Sequence, residues 1–148
     1  MLDPIFSILI TTKNRRADLE FTLVKIHQLL LREDVECIIC DDGSTDDTVP
    51  FLQSNYPKIQ LIQNKKSRGL IFSRNRLMSL TKAQYAISID DDLHFITQNP
   101  LAIIEKAFNE NPKIGLFSFR ICWGLEEPRN RRSNEVSHRM KSFAGGAN

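Results

Sequence analysis

Four short apolar runs, residues 5–10, 35–40, 59–63 and 85–89, punctuate the first two-thirds of the chain, and each ends near a polar cluster. Between them lie segments whose apolar residues recur at helical spacing. This alternation constrains the fold more than any other feature. Successive strands that run the same way need a crossover, and repeating that unit builds a parallel sheet with helices on both faces. The expected architecture is therefore α/β, a three-layer sandwich with a mostly parallel central sheet. Residues 17–31 predict the first helix, with Leu19, Leu23, Ile26 and Leu30 on one face and Asp18 and Glu20 in the first turn, where the helix dipole favours acids. Ser44-Thr45-Asp46-Asp47 offers a capping-box-like start to a second, which runs to Asn55 before Pro57. Further helices are expected over residues 69–80 and 100–109, and a fifth strand over 114–121.

At 148 residues the chain is long enough for one domain with a real core and too short for two of ordinary size. Its 41% hydrophobic and 26% charged residues exclude a disordered or fibrous chain. No apolar run approaches the roughly 20 residues that span a bilayer, and Met1-Leu2-Asp3-Pro4 is unlike a secretion signal, so a cytoplasmic location is expected. A net charge of +2 is too small to argue for nucleic acid. Of the three cysteines, Cys37 and Cys40 have CxxC spacing, but they fall on an expected strand, where residues three apart point to opposite faces and cannot share one metal. They read, with Cys122, as thiols in a reducing compartment.

Open α/β sheets bind ligands outside the carboxyl ends of their strands. Three polar clusters fall there: Thr11-Thr12-Lys13-Asn14-Arg15, Asp41-Asp42-Gly43-Ser44, and Asp90-Asp91-Asp92. Adjacent carboxylates repel one another, so three in a row ask for a cation or for full solvation. Residues two apart on an extended chain face the same way, so Asp90 and Asp92 suit one Mg²⁺ or Mn²⁺ site while Asp91 points elsewhere. A solvated acidic turn accounts for the triplet equally well when it is taken alone. The Asp41-Asp42 turn suits hydrogen bonding to a ribose hydroxyl or a base N–H, and an ordinary Asp-Gly turn is its plainer reading. Lys13, Arg15, Arg68 and Arg74 lie where they can neutralise a diphosphate, or else are solvated surface charges. Neither GxxxxGK[ST] nor GxGxxG occurs, and Thr11-Thr12 stands where a dehalogenase-type phosphatase needs Asp-x-Asp.

Together these residues resemble glycosyltransferase family 2, nucleotide-sugar-dependent enzymes of GT-A fold. Residues 7–15 resemble the family's opening strand and Pro-Thr-Tyr-Asn-Arg loop, and residues 40–46 its Asp-Asp-Gly-Ser-Thr-Asp turn. Gly69 with Ser73-Arg74-Asn75 is similar to its Gly-x-x-x-Ala-Arg-Asn helix, and Asp90-Asp91-Asp92 to its DXD element. The resemblance implies a donor site, most simply for a UDP-sugar, built from Thr11, Lys13, Arg15, Asp41, Asp42, Arg68, Gly69, Arg74, Asp90 and Asp91. In it Asp42 meets the nucleobase and Asp41 supports the turn. Thr11 and Arg15 line the nucleotide pocket, and Asp90 and Asp92 hold Mn²⁺ or Mg²⁺ against the diphosphate, with Asp92 the direct ligand and Asp90 nearer the ribose or sugar. Residues 1–95 would be the nucleotide-sugar-binding part of a single domain and residues 96–148 the start of an acceptor part.

Lys13 replaces an aromatic residue that stacks on the base in the family. The implied chemistry is inverting hexosyl or N-acetylhexosaminyl transfer, as in polysaccharide biosynthesis, with a general base supplied from beyond Asn148. Glu126 and Glu127 read as solvated loop residues. The acceptor, whether glycan, lipid-linked or protein, is left open. The basic stretch Arg129, Arg131, Arg132, Arg139 and Lys141 suits an anionic acceptor such as a lipid-linked phosphate or an acidic glycan, or is a charged loop, and peripheral contact with the cytoplasmic face of a membrane is left open. It contains no aromatic residue for base stacking, which argues against nucleic acid. The rival readings are a non-catalytic nucleotide-sugar-binding module and a metal-dependent phosphohydrolase that uses the same carboxylates.

Overall fold

The computed structural model describes residues 3–121. The chain divides into two compact units, Met1–Ile114 and Gly115–Asn148, and every regular element described here belongs to the first.

Four strands, β1 (Phe6–Thr12), β2 (Val35–Asp41), β3 (Gln60–Gln63) and β4 (Tyr85–Asp90), form one sheet in the order β3-β2-β1-β4. All three pairings are parallel. The helices are α1 (Arg16–Lys25), α2 (His27–Leu30), α3 (Thr48–Asn55), α4 (Leu70–Leu80) and α5 (Pro100–Glu110). The chain steps outward from β1 to β2 to β3, then α4 carries it back across the sheet to β4 on the far side of β1. With right-handed crossovers this reversal puts α4 on the opposite face from α1, and it makes the β1/β4 boundary the switch point at which such sheets open a crevice.

The apolar runs form strands because every residue of β1 is buried, as are the last five of β2. Leu9 and Ile38 meet Cys40 and the fully buried Leu77 of α4, with Ile62 packed alongside. Residues of the opposite pleat, Ile8, Ile10 and Ile39, are equally buried, as are Leu19, Leu23 and Ile26 of the first helical segment. At the sheet's edge β4 alternates instead, with Tyr85, Ile87 and Ile89 buried and Ala86 and Ser88 exposed. The Tyr85 ring lies against Phe6 on one side and Phe108 of α5 on the other.

Three expectations need correction. The helix expected over residues 17–31 is interrupted at Ile26, whose ψ of 6° ends α1 before the single turn of α2. Apolar spacing continues across the break because Ile26 itself stays buried. The helix expected from Ser44 starts at Thr48, since Ser44 and Thr45 are engaged in loop contacts and Asp46 accepts from the Thr48 N–H and hydroxyl. The strand expected over residues 114–121 is irregular chain. An apolar run becomes a strand only where a neighbouring strand offers a ladder, and among the described residues the sheet ends at β4.

Leu77→Ala is expected to lower stability by about 2–5 kcal/mol, the range for emptying a well-packed leucine site. Urea unfolding measures it, and a cost below about 1 kcal/mol would contradict the packing of α4 described here.

Candidate functional site

Parallel register aligns the carboxyl ends of the strands. Thr12 sits beside Asp41 on one side of β1, and Thr11 beside Asp90 on the other. The three polar clusters read from the sequence therefore lie along one edge, tied together by specific bonds. The Asp42 N–H donates to the Thr12 carbonyl at 2.9 Å. Asn14, in the left-handed region at φ 52°, donates its N–H to Ser44 Oγ at 2.8 Å and accepts the Thr45 N–H at 2.7 Å on its side-chain oxygen. Asparagine tolerates that backbone conformation better than most residues, and here its amide also joins two loops.

The triple aspartate separates as its spacing suggests. Asp91 turns inward: Thr12 Oγ1 donates to its carboxylate at 2.8 Å, and Thr22 Oγ1 of α1 donates to its carbonyl at 2.9 Å. Burial pushes the Asp91 carboxyl above the ordinary carboxylate range, and the Thr12 hydrogen bond and the Arg15 charge only partly offset it. Asp91, expected among the donor-binding residues, is buried and anchors the turn that begins at Asp90. Asp90 and Asp92 keep half-exposed carboxylates, and each faces an arginine. Arg74 of α4 pairs with Asp90, while Arg15 Nη2 lies 2.9 Å from Asp92. The cations that the triplet asks for are already in the chain.

Asp42, expected to meet the nucleobase, is 95% buried, with a relative exposure of 5%. One carboxylate oxygen accepts from Asn64 Nδ2 at 2.7 Å, the Arg68 N–H at 2.9 Å and Ser73 Oγ at 2.9 Å. The other accepts from Ser67 Oγ at 2.6 Å and the Gly69 N–H at 2.9 Å. Burial alone would raise its pKa, but the hydrogen bonds from Ser67, Arg68, Asn64 and Gly69 prevail and hold it well below the carboxylate range. Asp41, the last residue of β2, accepts only the Ser44 N–H among the described donors, at 3.1 and 3.3 Å to its two oxygens. Its carboxylate has acceptor capacity that Asp42 lacks.

Lys13, Arg68 and Gly69 are exposed along the same edge, and the Arg68 guanidinium lies 4.1 Å from the centroid of the Phe72 ring. Thr11 Oγ1 and Arg74 Nε are buried without a hydrogen-bond partner among the described residues. Asp90 and Asp92 offer the hard oxygens that Mg²⁺ or Mn²⁺ prefers, and no trio of His, Cys, Asp or Glu among the described residues forms a metal cage. Two carboxylates completed by ligand oxygens fit an ion that is bound together with a phosphate. Cys37 and Cys40 are buried free thiols, the first pushed up to about 12 by burial and by Glu36, which suits packing and not metal or redox chemistry.

Asn64, Ser67 and Ser73, absent from the expected donor site, turn out to donate to the Asp42 carboxylate. Their signal is weak, because uncharged donors in a polar stretch look like ordinary loop residues until a carboxylate is seen to gather them. Cys122, Glu126, Glu127, the basic stretch from Arg129 to Lys141 and the closing Phe143-Ala144-Gly145-Gly146 lie outside the described residues. No helix of the described residues is long and apolar enough to cross a membrane.

Comparison with known proteins agrees with this geometry. Residues 7–146 match the family model for glycosyl transferase family 2. Escherichia coli chondroitin synthase is 39% identical over 62 residues, which are 40% of this chain and 9% of that protein. The E. coli UDP-Glc:alpha-D-GlcNAc-diphosphoundecaprenol beta-1,3-glucosyltransferase WfaP is 33% identical over 66 residues, 44% of this chain and 26% of its own length. Two solved structures share the fold. S. aureus TarS in complex with UDP-GlcNAc has a TM-score of 0.62 at 20% identity over 71% of this chain and 31% of that one. The mannosyltransferase PcManGT from Pyrobaculum calidifontis, in complex with GDP-Man and Mn2+, has a TM-score of 0.61 at 21% identity over 73% of this chain and 33% of that one. The chain thus spans a third or less of the length of each.

Asp42→Asn is expected to cost about 3 kcal/mol near neutral pH, because the amide keeps one acceptor oxygen and turns a donor towards other donors. A carboxylate held below its free-chain pKa contributes stability above that value and loses it as acid protonates the folded form. The gap between wild type and variant should therefore be level above about pH 5 and narrow as the pH falls towards 2. Unfolding curves across that range measure it, and a gap that widens in acid would contradict an ionised Asp42.

Proposed function

Since the chain belongs to glycosyltransferase family 2, we propose that the carboxyl edge of its sheet binds the nucleoside diphosphate of a sugar donor, and that the protein of which this edge is part transfers the sugar to an acceptor hydroxyl. The observation that carries the reading is the pair of outward carboxylates, Asp90 and Asp92, each held by an arginine at the β1/β4 switch point. A phosphate-bearing ligand supplies what this arrangement can exchange: anionic oxygens for Arg15 and Arg74, and oxygens to complete the coordination of an ion held by Asp90 and Asp92.

In this reading Asp41 accepts the base N–H, a change from the assignment to Asp42 that follows from their unequal hydrogen bonding. Thr11 and Lys13 line the nucleotide pocket from the end of β1 and the residue after it, and Arg68 and Gly69 close it from the loop before α4. The unpartnered Thr11 Oγ1 and Arg74 Nε are donors suited to ligand oxygens. A divalent ion on Asp90 and Asp92, Mn²⁺ or Mg²⁺, would act as a Lewis acid where charge develops on the leaving diphosphate. Arg15 and Arg74 spread further positive charge over the same group. The acceptor hydroxyl gives its proton to a general base as its oxygen forms a bond to the anomeric carbon and the bond from that carbon to the diphosphate breaks, which inverts the configuration. UDP is the proposed carrier, and the cytoplasm the proposed compartment.

Calorimetric titration of UDP with and without Mn²⁺ tests this directly. Wild type is expected to bind UDP at least about tenfold more tightly with the metal. Asp92→Asn should lose that metal dependence, and Arg74→Ala should weaken UDP binding in both conditions. Binding of GDP in place of UDP would move the donor assignment and keep the site. Absence of binding by either nucleotide would defeat the proposal.

A further inference from the structure

We propose that Asp42 is a positioning residue of the donor site: its carboxylate gathers residues 64–69 and the first turn of α4, and thereby sets where Arg68 and Arg74 face the nucleotide. This rests on the donor-site reading above and assigns a role within it that needs no contact between Asp42 and the ligand.

Five donors converge on this one carboxylate from the β3 end, the following loop and α4. A carboxylate offers about four lone-pair positions, so no acceptor capacity is left for a base N–H. The donors also share a purpose. Arg68 and Gly69 contribute successive backbone N–H groups, and the chain then enters α4 through a positive φ of +88° at Gly69, where an added Cβ would meet nothing within 4 Å. Gly69 is therefore required by backbone conformation and not by space. Ser73, one helical turn further on, accepts from Asn64 Nδ2 and donates to Asp42, while Asn64 Oδ1 accepts from Arg76 at 2.7 Å. The network is closed on itself, which in a buried setting makes it rigid.

Independent of the hydrogen bonds, the turn that carries Asp42 presses on the same loop. An added Cβ at Gly43 would lie 3.0 Å from the Ser67 nitrogen and 3.1 Å from the Lys66 carbonyl carbon, both backbone atoms, and Gly43 has a φ of +77°. The Asn64 N–H also donates to the Asp41 carbonyl at 2.9 Å. Turn and loop form one unit, with Arg68 at its tip against Phe72 and Arg74 one residue past Ser73, paired with Asp90. Displacing the carboxylate moves both arginines.

The experiment combines amide hydrogen exchange at Arg68 and Gly69, measured without nucleotide, with titration of UDP and GDP in the presence of Mn²⁺. It compares wild type with Asp42→Asn, Gly43→Ala and Ser67→Ala. Asp42→Asn and Gly43→Ala should each accelerate exchange at both amides by roughly tenfold or more and weaken nucleotide binding by roughly tenfold. Saturating nucleotide should restore the lost protection. Ser67→Ala removes one donor and leaves the charge in place, so it should show smaller changes in the same directions even if the other two variants do not fold. Asp42→Asn that binds nucleotide poorly while both amides stay protected would overturn the proposal in favour of direct contact. Lost protection with unchanged affinity would overturn it as well, by taking the loop out of the site. A wild type that binds neither nucleotide would overturn the donor-site reading and this role with it, an outcome distinct from the other two because the reference protein itself fails.

Discussion

The position of β1 between two parallel partners is the constraint from which the rest of the edge follows. Because Thr12 is in register with Asp41 and Thr11 with Asp90, a single central strand fixes how far each acidic strand end projects. A one-residue slip would turn every side chain to the other face of the sheet, and the buried residues along all of β1 make such a slip costly. The loops can then carry side chains that would destabilise a core, since the apolar packing of Leu9, Ile38 and Leu77 beneath them does not depend on what the loops contain. Stability lives in the pleated layers and chemistry at their rim.

Four of the five carboxylates along that rim are kept from repelling one another in three physically different ways. Asp42 is ionised and satisfied by neutral donors, whose dipoles stabilise charge without adding any of their own. Asp91 is buried against Thr12, which donates to it, and lies 3.5 Å from Arg15, while burial raises its pKa. Asp90 and Asp92 stay half in water and lean on arginines. Asp41 is the exception, with one modest donor for two oxygens. These differences do not follow from residue type or from adjacency. They follow from which neighbours the fold delivers: α1 and the β1 end for Asp91, the loop before α4 for Asp42, and single arginines on different elements for the outer pair.

This explains how much was legible in the sequence. The strands were legible because short β-branched runs flanked by turns have few other solutions, and each of the four was placed to within a residue or two of its observed ends. The clustering of the acidic turns followed from the parallel order alone. The split of the triplet, with Asp91 inward, followed from the two-residue period of extended chain. The break at Ile26 left no trace, since a buried isoleucine satisfies a helix and its interruption equally well. The late start of α3 was hidden because Ser44 and Thr45 resemble caps wherever they stand, and only the Asn14 loop shows that they are engaged elsewhere. The strand read over residues 114–121 failed for a different reason: apolar character says that a segment wants burial, whereas a strand also needs a partner.

The adjacent pair Asp41-Asp42 shows where motif reading stops. Two identical side chains in one turn differ because consecutive residues at a strand end point to opposite faces of the sheet. On one face Asp42 meets Ser73 of α4 and the loop that leads into it. On the other, Asp41 is just as buried, but among the described donors only the N–H of Ser44 in its own turn reaches its carboxylate. A pattern that treats the pair as a unit assigns both to the ligand, yet satisfying five donors and accepting a base are competing demands on one carboxylate. Placing them on neighbouring residues resolves the conflict, since the ionised clamp holds the loop still while its partner keeps an acceptor free. In the proposed donor site the two aspartates divide the labour along the pleat, and the glycine that follows them lets the turn and the loop approach closely.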